Sequence, residues 1–117
     1  MNYNLKLNNK PFQAIKAGTK KVEGRTPKNE ADNRYDEMKT GDTITFTNNT
    51  SQETMVCEVL FVNKYVDVRS MLEAEGVKNV LSSGGNIEEG VESHNNISNY
   101  KDRIPKYGIY AIGIKVI

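Results

Sequence analysis

The chain has 117 residues, of which 37% are hydrophobic and 26% are charged, which is typical of a folded globular protein. This length predicts a single domain over residues 1–117 with its own core. Sixteen basic and fifteen acidic residues leave a formal net charge of +1. Bulk charge therefore excludes non-specific attraction to nucleic acid, and any anion binding must come from local clustering of basic side chains.

Cysteine content and the amino terminus bear on the cellular compartment. The only cysteine, Cys57, lies in an apolar run and has no partner for an internal disulfide, which predicts a buried thiol in a reducing compartment. The first residues lack the apolar core of a secretory signal, and no run is long enough to span a bilayer. We therefore expect a cytoplasmic protein without membrane contact.

The first third of the chain predicts a strand, a short helix and a loop. Residues 3–7 alternate between apolar and polar side chains, as a half-buried strand does. Pro11 is typical of a first helical position, and Gly18 is placed to end the helix that it opens. Residues 26–33 are polar and contain a proline, so they predict a loop, which a helical turn through Tyr35 follows.

The middle of the chain predicts a hairpin and two short helices. Residues 43–47 alternate β-branched or aromatic side chains with polar ones, and residues 53–63 form the most apolar run, so together they predict the centre of a sheet. Residues 68–75 have helical spacing and Gly76 follows as a cap. A second turn runs through residues 77–81 and ends at residues 82–85.

The last third predicts one long helix and a closing strand. Asn86 is typical of an N-cap, and residues 107–117 are apolar on both faces. Because strands and helices do not alternate regularly, the pattern favours an α+β fold with a strongly bent or barrel-like mixed sheet and short flanking helices. The inward stripe of the long helix is predicted to contain Ile87, Val91, His94, Ile97, Tyr100 and Ile104.

A dense cluster of charge follows Gly18. In a strand through this cluster, Lys21, Glu23 and Arg25 would share one face. The cluster is either a solvated edge strand, in which charge discourages aggregation, or a binding surface. Gly24 favours the second interpretation, because a glycine within a strand often marks the close approach of a ligand or of another backbone.

The residue types in this cluster suit anion or base recognition. Arg25 offers a planar fork for phosphate oxygens or a carbonyl edge, whereas Lys20 offers a point charge whose pKa falls when it is desolvated. Glu23 can orient both cations, or act as an acid or base if its pKa rises in a closed pocket. Tyr100, which precedes Lys101, is the first candidate for base stacking.

The other candidate sites are weaker. His94 is the only histidine, and no Cys/His cluster has the spacing of metal ligands, so we expect no metal and no cofactor. The apolar stripe around His94 favours a packed side chain over a general base. Residues 82–85 lack the lysine and the preceding strand of a phosphate-binding glycine loop.

The chain as a whole resembles the ASCH domain family, which shares a PUA-like barrel with RNA-modifying and RNA-binding proteins. The resemblance covers nearly the whole chain in order. It rests on residues 11–18, 20–25, 41–46, 71–76, 87–90, Tyr100 and 107–112, and its core is the G-x-K-x-x-E-x-R pattern from Gly18 to Arg25.

The family resemblance implies a cleft lined by the charged strand that binds RNA or a nucleoside- or nucleotide-like small molecule. It places Lys20, Lys21, Glu23 and Arg25 in this cleft, with Tyr100 as a further candidate. Some relatives are amidohydrolases that remove the acetyl group of N4-acetylcytidine with a lysine and a threonine in this strand and a later glutamate. Lys20 matches their lysine, Glu23 stands where their threonine would be, and Glu75 is a candidate for their glutamate.

Three functions are therefore open. The first is a binding module for RNA or a nucleotide-like ligand. The second is a small hydrolase, resembling an N4-acetylcytidine amidohydrolase or a ribonuclease, in which Lys20 and Glu23 are the catalytic acid and base groups. The third is a structural or partner-binding domain.

Overall fold

The computed structural model describes residues 1–82 and 84–117. In this part of the chain, short strands and helices succeed each other without a regular βαβ order. The strands are β1 (Asn2–Leu7), β2 (Val22–Arg25), β3 (Thr43–Asn48), β4 (Thr54–Tyr65) and β5 (Ile109–Val116), and the helices are α1 (Asn9–Ala17), α2 (Arg34–Glu37), α3 (Val68–Glu75), α4 (Val77–Val80), α5 (Ile87–Asn95) and α6 (Tyr100–Tyr107).

The strands form one five-stranded mixed sheet in the order β1-β3-β4-β5-β2. β1 pairs with β3 in parallel, and the other neighbours are antiparallel. The long apolar strand β4 lies at the centre, as its composition predicts. The predicted α+β fold with a bent mixed sheet is confirmed, and the sheet forms a curled half-barrel whose two edge strands are β1 and β2.

A break in the register of β4 accompanies the curl of the sheet. The pairing of β4 with β5 shifts between Val59 and Phe61, which is the mark of a β-bulge. Gly113 lies opposite this point, and a Cβ atom there would come within 2.1 Å of the Phe61 ring. The bulge bends β4 and brings the Phe61 ring close to the backbone of β5. Only glycine at position 113 leaves room for this ring.

Two apolar cores lie on the two faces of β5. Tyr110, Ile112 and Ile114 pack into a core with α1, α2 and strands β1, β3 and β4. Ile109 and Ala111 pack into a second core with helices α3, α4 and α6. Because side chains alternate along a strand, β5 connects both cores and brings the helical layer against β2.

The predicted long helix after Asn86 is wrong. The chain forms two helices, α5 and α6, and Asn99 between them has a left-handed backbone with φ of 68°. Ile97, which the predicted stripe placed inward, is 44% exposed. Asparagine and serine side chains compete for backbone hydrogen bonds, so the Asn- and Ser-rich residues 95–99 favour a helix end over continuation.

The other predicted elements are found with small changes at their ends. α1 begins at Asn9 rather than Pro11, and Gly18 ends it with φ of 83°, as predicted. Gly76 caps α3 and Asn86 caps α5. The predicted end of the turn at residues 82–85 includes Ser83, which lies outside the described residues. No helix within residues 1–82 and 84–117 combines the length and apolar character that a bilayer crossing requires.

Candidate functional site

The exit of the chain from α1 positions the charged cluster. Gly18 adopts a left-handed conformation, and the backbone N–H groups of Thr19 and Lys20 both donate to the carbonyl of Ala14, at 3.0 and 3.1 Å. This tight turn satisfies a free carbonyl at the end of the helix. It also delivers Lys20 into the protein interior directly before β2.

Lys20 is buried, with only 5% of its surface exposed, and its ammonium group contacts protein oxygens. It donates to the carbonyl of Val22 at 2.8 Å and to the carbonyl of Val80, the last residue of α4. Its third neighbour is Oε1 of Glu23 at 3.3 Å. Two of the three ammonium protons are therefore donated to backbone carbonyls, and the third lies on the side of Glu23.

Glu23 and Arg25 form the second half of the cluster. Oε2 of the buried Glu23 accepts from Nε of Arg25 at 2.7 Å, so the two oxygens of one carboxylate serve two cations. Nη2 of Arg25 donates to the carbonyl of Lys6 at 2.7 Å. Lys6 belongs to β1, at the opposite edge of the sheet, so Arg25 bridges the two edges of the curled half-barrel. We call Lys20, Glu23 and Arg25 the ion triad.

The environment favours the charged forms of Glu23 and Arg25 but disfavours the charged form of Lys20. Burial raises the pKa of Glu23, but the adjacent Arg25 and Lys20 charges outweigh burial and hold that pKa below its usual value. Burial lowers the pKa of Arg25, but Glu23 reverses this and raises it. For Lys20, burial is larger than the opposing effect of Glu23, so its pKa is lowered.

A cleft of about 310 Å³ lies over the ion triad, at the seam between β1 and β2. This volume is at the lower end of the range of about 300–1,000 Å³ for small-molecule sites. The charged residues that line the cleft are Lys6 and the three members of the ion triad, and the other lining residues are polar or apolar. Its lining consists of Lys6, Leu7, Asn8, Pro11, Lys20, Glu23, Gly24, Arg25, Asn49, Val80, Leu81, Ser82, Ser93, His94, Ile97 and Tyr100.

Tyr100 forms one wall of the cleft, where the sequence predicts it. It is 8% exposed, and its hydroxyl donates to no acceptor among the described residues. Burial raises the pKa of Tyr100 to about 12, although the nearby Arg25 opposes the shift. The phenol therefore keeps its proton at neutral pH and offers an aromatic surface with a hydroxyl group to the cleft.

His94 also lines the cleft, and the sequence interpretation missed this role. The prediction of a packed side chain is correct in that His94 is 6% exposed, but its ring reaches the floor of the cleft beside Gly24. A Cβ atom on residue 24 would lie 3.2 Å from Nε2 of His94. The glycine within the charged strand was the available signal, since it marks the close approach of another group.

Lys21 does not line the cleft, in which the family resemblance placed it with Glu23 and Arg25. It lies just before β2, and its N–H group donates to the carbonyl of Asn79 at 2.8 Å. Lys21 is exposed and lies by a separate depression of about 730 Å³, which Glu75 also lines. Glu75 accepts from Asn63 at 3.0 Å and from the hydroxyl of Tyr65, away from the cleft.

The interpretation of the charged stretch as a solvated edge is also wrong for Lys20 and Glu23, which are both buried. The larger depression has a mixed lining of apolar side chains, four lysines and Glu75, and Lys20 borders both depressions. All three members of the ion triad, His94 and Tyr100 meet only in the smaller cleft. Within residues 1–82 and 84–117, no three His, Cys, Asp or Glu side chains group as metal ligands do. The cleft is therefore the candidate functional site.

Comparison with known proteins supports this architecture. The chain is 34% identical to the hypothetical protein PH0355, with 100% of both chains covered and a TM-score of 0.84. It is 30% identical to protein PF0455 from Pyrococcus furiosus, covering 100% of this chain and 98% of that chain with a TM-score of 0.71. No curated protein sequence matches.

More distant structures share the fold. An ASCH domain from Lactobacillus crispatus is 13% identical, with 97% of this chain and 79% of that chain covered and a TM-score of 0.58. These structures confirm the predicted PUA-like α+β architecture. The model of the ASCH domain family matches residues 5–117. The chain therefore belongs to the ASCH domain family.

Proposed function

We propose that this protein binds RNA or a nucleoside- or nucleotide-like ligand in the cleft above the ion triad. The observation that carries the proposal is the convergence of Arg25, His94 and Tyr100 on one cleft of about 310 Å³ at the sheet seam. A cation fork, a ring nitrogen and an aromatic wall are the groups with which proteins hold a base and its phosphate.

The roles within the ion triad differ. Lys20 donates to the carbonyls of Val22 and Val80 and lies 3.3 Å from Glu23, so we assign it the role of positioning Glu23 in this binding function. Glu23 in turn holds Nε of Arg25. Two nitrogens of the guanidinium group keep N–H donors beyond those bonds, and we assign Arg25 the direct contact with a phosphate or a carbonyl oxygen.

Binding of short single-stranded RNAs and nucleosides, followed by titration calorimetry, tests this proposal. We expect Arg25→Ala to weaken binding about tenfold or more, because charge-assisted hydrogen bonds are the stronger class. Arg25→Lys should weaken it too, since lysine keeps the charge but loses the fork. Lys21→Ala is the matched control, because Lys21 is exposed outside the cleft.

Two results would contradict the binding proposal. One is unaltered affinity in an Arg25→Ala protein whose circular dichroism shows a native fold. The other is RNA affinity that does not change with salt, because each phosphate contact to a single strand contributes a slope of about −0.7 in log K against log salt. Because Arg25 and Lys6 are the cations that a phosphate could reach in the cleft, we expect a shallow slope that corresponds to one or two phosphate contacts.

A second proposal is hydrolysis, and the buried Lys20 with a lowered pKa beside Glu23 favours it. In the amide case, water would add to the acetyl carbon of N4-acetylcytidine while Glu23 accepts a water proton. Lys20 would then donate a proton to the leaving nitrogen, the C–N bond would break, and acetate and cytidine would form. Positioned groups of this kind contribute about a hundred- to ten-thousand-fold in rate.

Turnover assays separate the two proposals. Incubation with N4-acetylcytidine and with short RNAs, followed by chromatography, would detect product. We expect Lys20→Met to abolish any turnover and Lys21→Met to preserve it, with folding checked by circular dichroism. Turnover that persists in a folded Lys20→Met protein would overturn the hydrolase proposal and leave the binding proposal intact.

A further inference from the structure

The tautomer of His94 is determined by its contact with the preceding helical turn. Nδ1 of His94 lies 2.9 Å from the carbonyl oxygen of Gly90. A carbonyl can only accept a hydrogen bond, so Nδ1 carries the proton. In a neutral imidazole the other nitrogen then has a free lone pair, so Nε2 is a hydrogen-bond acceptor.

The surroundings of His94 favour the neutral ring. Met71 of α3 and Ile109 of β5 present apolar atoms beside Gly24 at the same point. The charged groups that act on the ring are Lys20, which disfavours a second positive charge, and Glu23, which favours it. Burial is the largest influence and lowers the pKa of His94, while the bond to the Gly90 carbonyl partly opposes this shift.

Nε2 of His94 opens on the cleft. It lies 3.2 Å from the position that a Cβ on residue 24 would occupy, on the cleft floor. Every fully buried side-chain nitrogen or oxygen among the described residues has a hydrogen-bond partner. Nε2 of His94 has no partner among these residues, so it is not fully buried. The lone pair on Nε2 is therefore available to accept a hydrogen bond from a ligand.

The ion triad is a poorer acceptor than Nε2, because its one carboxylate already serves two cations. Both oxygens of Glu23 are engaged by Lys20 and Arg25. Arg25 offers only donors. The cleft lining therefore contains both the N–H donors of Arg25 and the acceptor of His94. The group that complements Nε2 is an N–H donor of the ligand.

We propose that Nε2 of His94 accepts a hydrogen bond from a ring N–H of the ligand, and so selects bases that present an imide or lactam edge, such as uracil or guanine. This inference rests on the proposed binding function and specifies its ligand. The size of the cleft, about 310 Å³, matches a single base or nucleoside.

A matched pair of nucleosides tests the inference by calorimetry. Uridine has the N3–H group, and 3-methyluridine replaces it with a methyl group. We expect wild-type protein to bind uridine at least about tenfold more tightly, because the methylated analogue leaves the acceptor unpaired. In the His94→Phe variant, the affinity for uridine should fall, and the preference for uridine over 3-methyluridine should drop below about twofold. Asn95→Ala, on the exposed side of α5, is the control.

The acceptor has two further signatures. Long-range ¹⁵N correlation spectra of the free protein should show His94 protonated on Nδ1 alone at neutral pH. Uridine binding should be lost as the pH falls through the pKa of His94, below its usual 6.5. Protonated Nε2 is a donor and can no longer accept. His94→Phe should show no such loss.

Distinct outcomes separate this inference from the proposed function. A proton on Nε2 at neutral pH would overturn it, and so would equal binding of uridine and 3-methyluridine by the wild-type protein. Neither result would affect the binding function itself. If the wild-type protein bound no nucleoside and no short RNA at millimolar concentration, the proposed function would fail, and the inference would fail with it.

Discussion

At the scale of single residues, the ion triad shows how a buried charge cluster is made tolerable. Two cations share one carboxylate, and Lys20 and Arg25 also donate to the carbonyls of Lys6, Val22 and Val80. Burying a charge costs several kcal/mol unless it is paired and hydrogen-bonded. These partners offset that cost, and they hold Arg25 in a fixed direction at the seam.

The stability of the ion triad can be tested at Glu23. Glu23→Gln removes the negative charge and leaves Lys20 and Arg25 facing each other without compensation. We expect a loss of about 3–5 kcal/mol in the free energy of unfolding at neutral pH, measured by urea denaturation. Glu53→Gln is the control, because Glu53 pairs with Lys16 at the surface and such pairs contribute about 0–1 kcal/mol. Equal losses in both variants would contradict this account.

The same residue should make the stability depend on acid pH. The folded pKa of Glu23 lies below its unfolded value, because Arg25 and Lys20 outweigh burial. Its contribution is therefore complete above the unfolded pKa of about 4.3 and is lost as the pH falls through the folded pKa. We expect the stability gap between wild type and Glu23→Gln to narrow below about pH 4. A gap that stays constant down to pH 2 would oppose the assignment.

At the scale of elements, the N-terminal cap of α5 helps to position the residues that line the cleft. α5 begins with a capping box: Asn86 accepts from the backbone of Glu89 at 2.9 Å, and Glu89 accepts from the backbone of Asn86 at 3.2 Å. At its other end the helix carries His94 to the cleft. The local sequence at the start of α5 thus sets the position of a group two turns away.

The capping box gives a prediction for α5. Asn86→Ala should lower the free energy of unfolding by about 1 kcal/mol, because it removes the acceptor for the Glu89 N–H group. Asn86→Ser should retain most of the stability, since serine caps almost as well. Urea denaturation of both variants measures the difference. Identical losses for alanine and serine would show that the side-chain acceptor does not matter.

At the scale of the whole molecule, β5 joins two cores and Arg25 joins two sheet edges. Tyr110 and Ile112 face one core, whereas Ile109 and Ala111 face the other, so neither core can loosen without affecting β5. Arg25 connects β2 to Lys6 in β1 across the open side of the half-barrel. We propose on this basis that the chain unfolds as one cooperative domain.

Leu72→Ala tests this cooperativity, because Leu72 is buried in the helical core, away from the core that contains Tyr35 and Tyr110. We expect a loss of about 2–5 kcal/mol, the usual cost of such a cavity. Tyrosine fluorescence is informative in a chain without tryptophan. It should follow the same urea transition as circular dichroism. Two separated transitions would contradict one cooperative unit.

How far the sequence alone reaches differs between the elements and the site. The cap at Gly18 and the alternation in β3 are local signals, and both predict the observed elements. Lys21 shows the limit of the same reasoning, because the structure leaves it exposed and outside the cleft. The Asn- and Ser-rich residues 95–99 carried a signal for a helix end that the apolar stripe obscured.

The sequence by itself determined the order of the strands, the family, and the short stretch that contains the ion triad. These depend on backbone conformation and side-chain periodicity, which neighbouring residues control. Only the tertiary structure decided which charges are buried, and that Val80 and Lys6 supply carbonyls to residues far away in the chain. It also brought His94 to the cleft. Burial and hydrogen-bond partners depend on distant segments meeting in space, and no local pattern records those meetings.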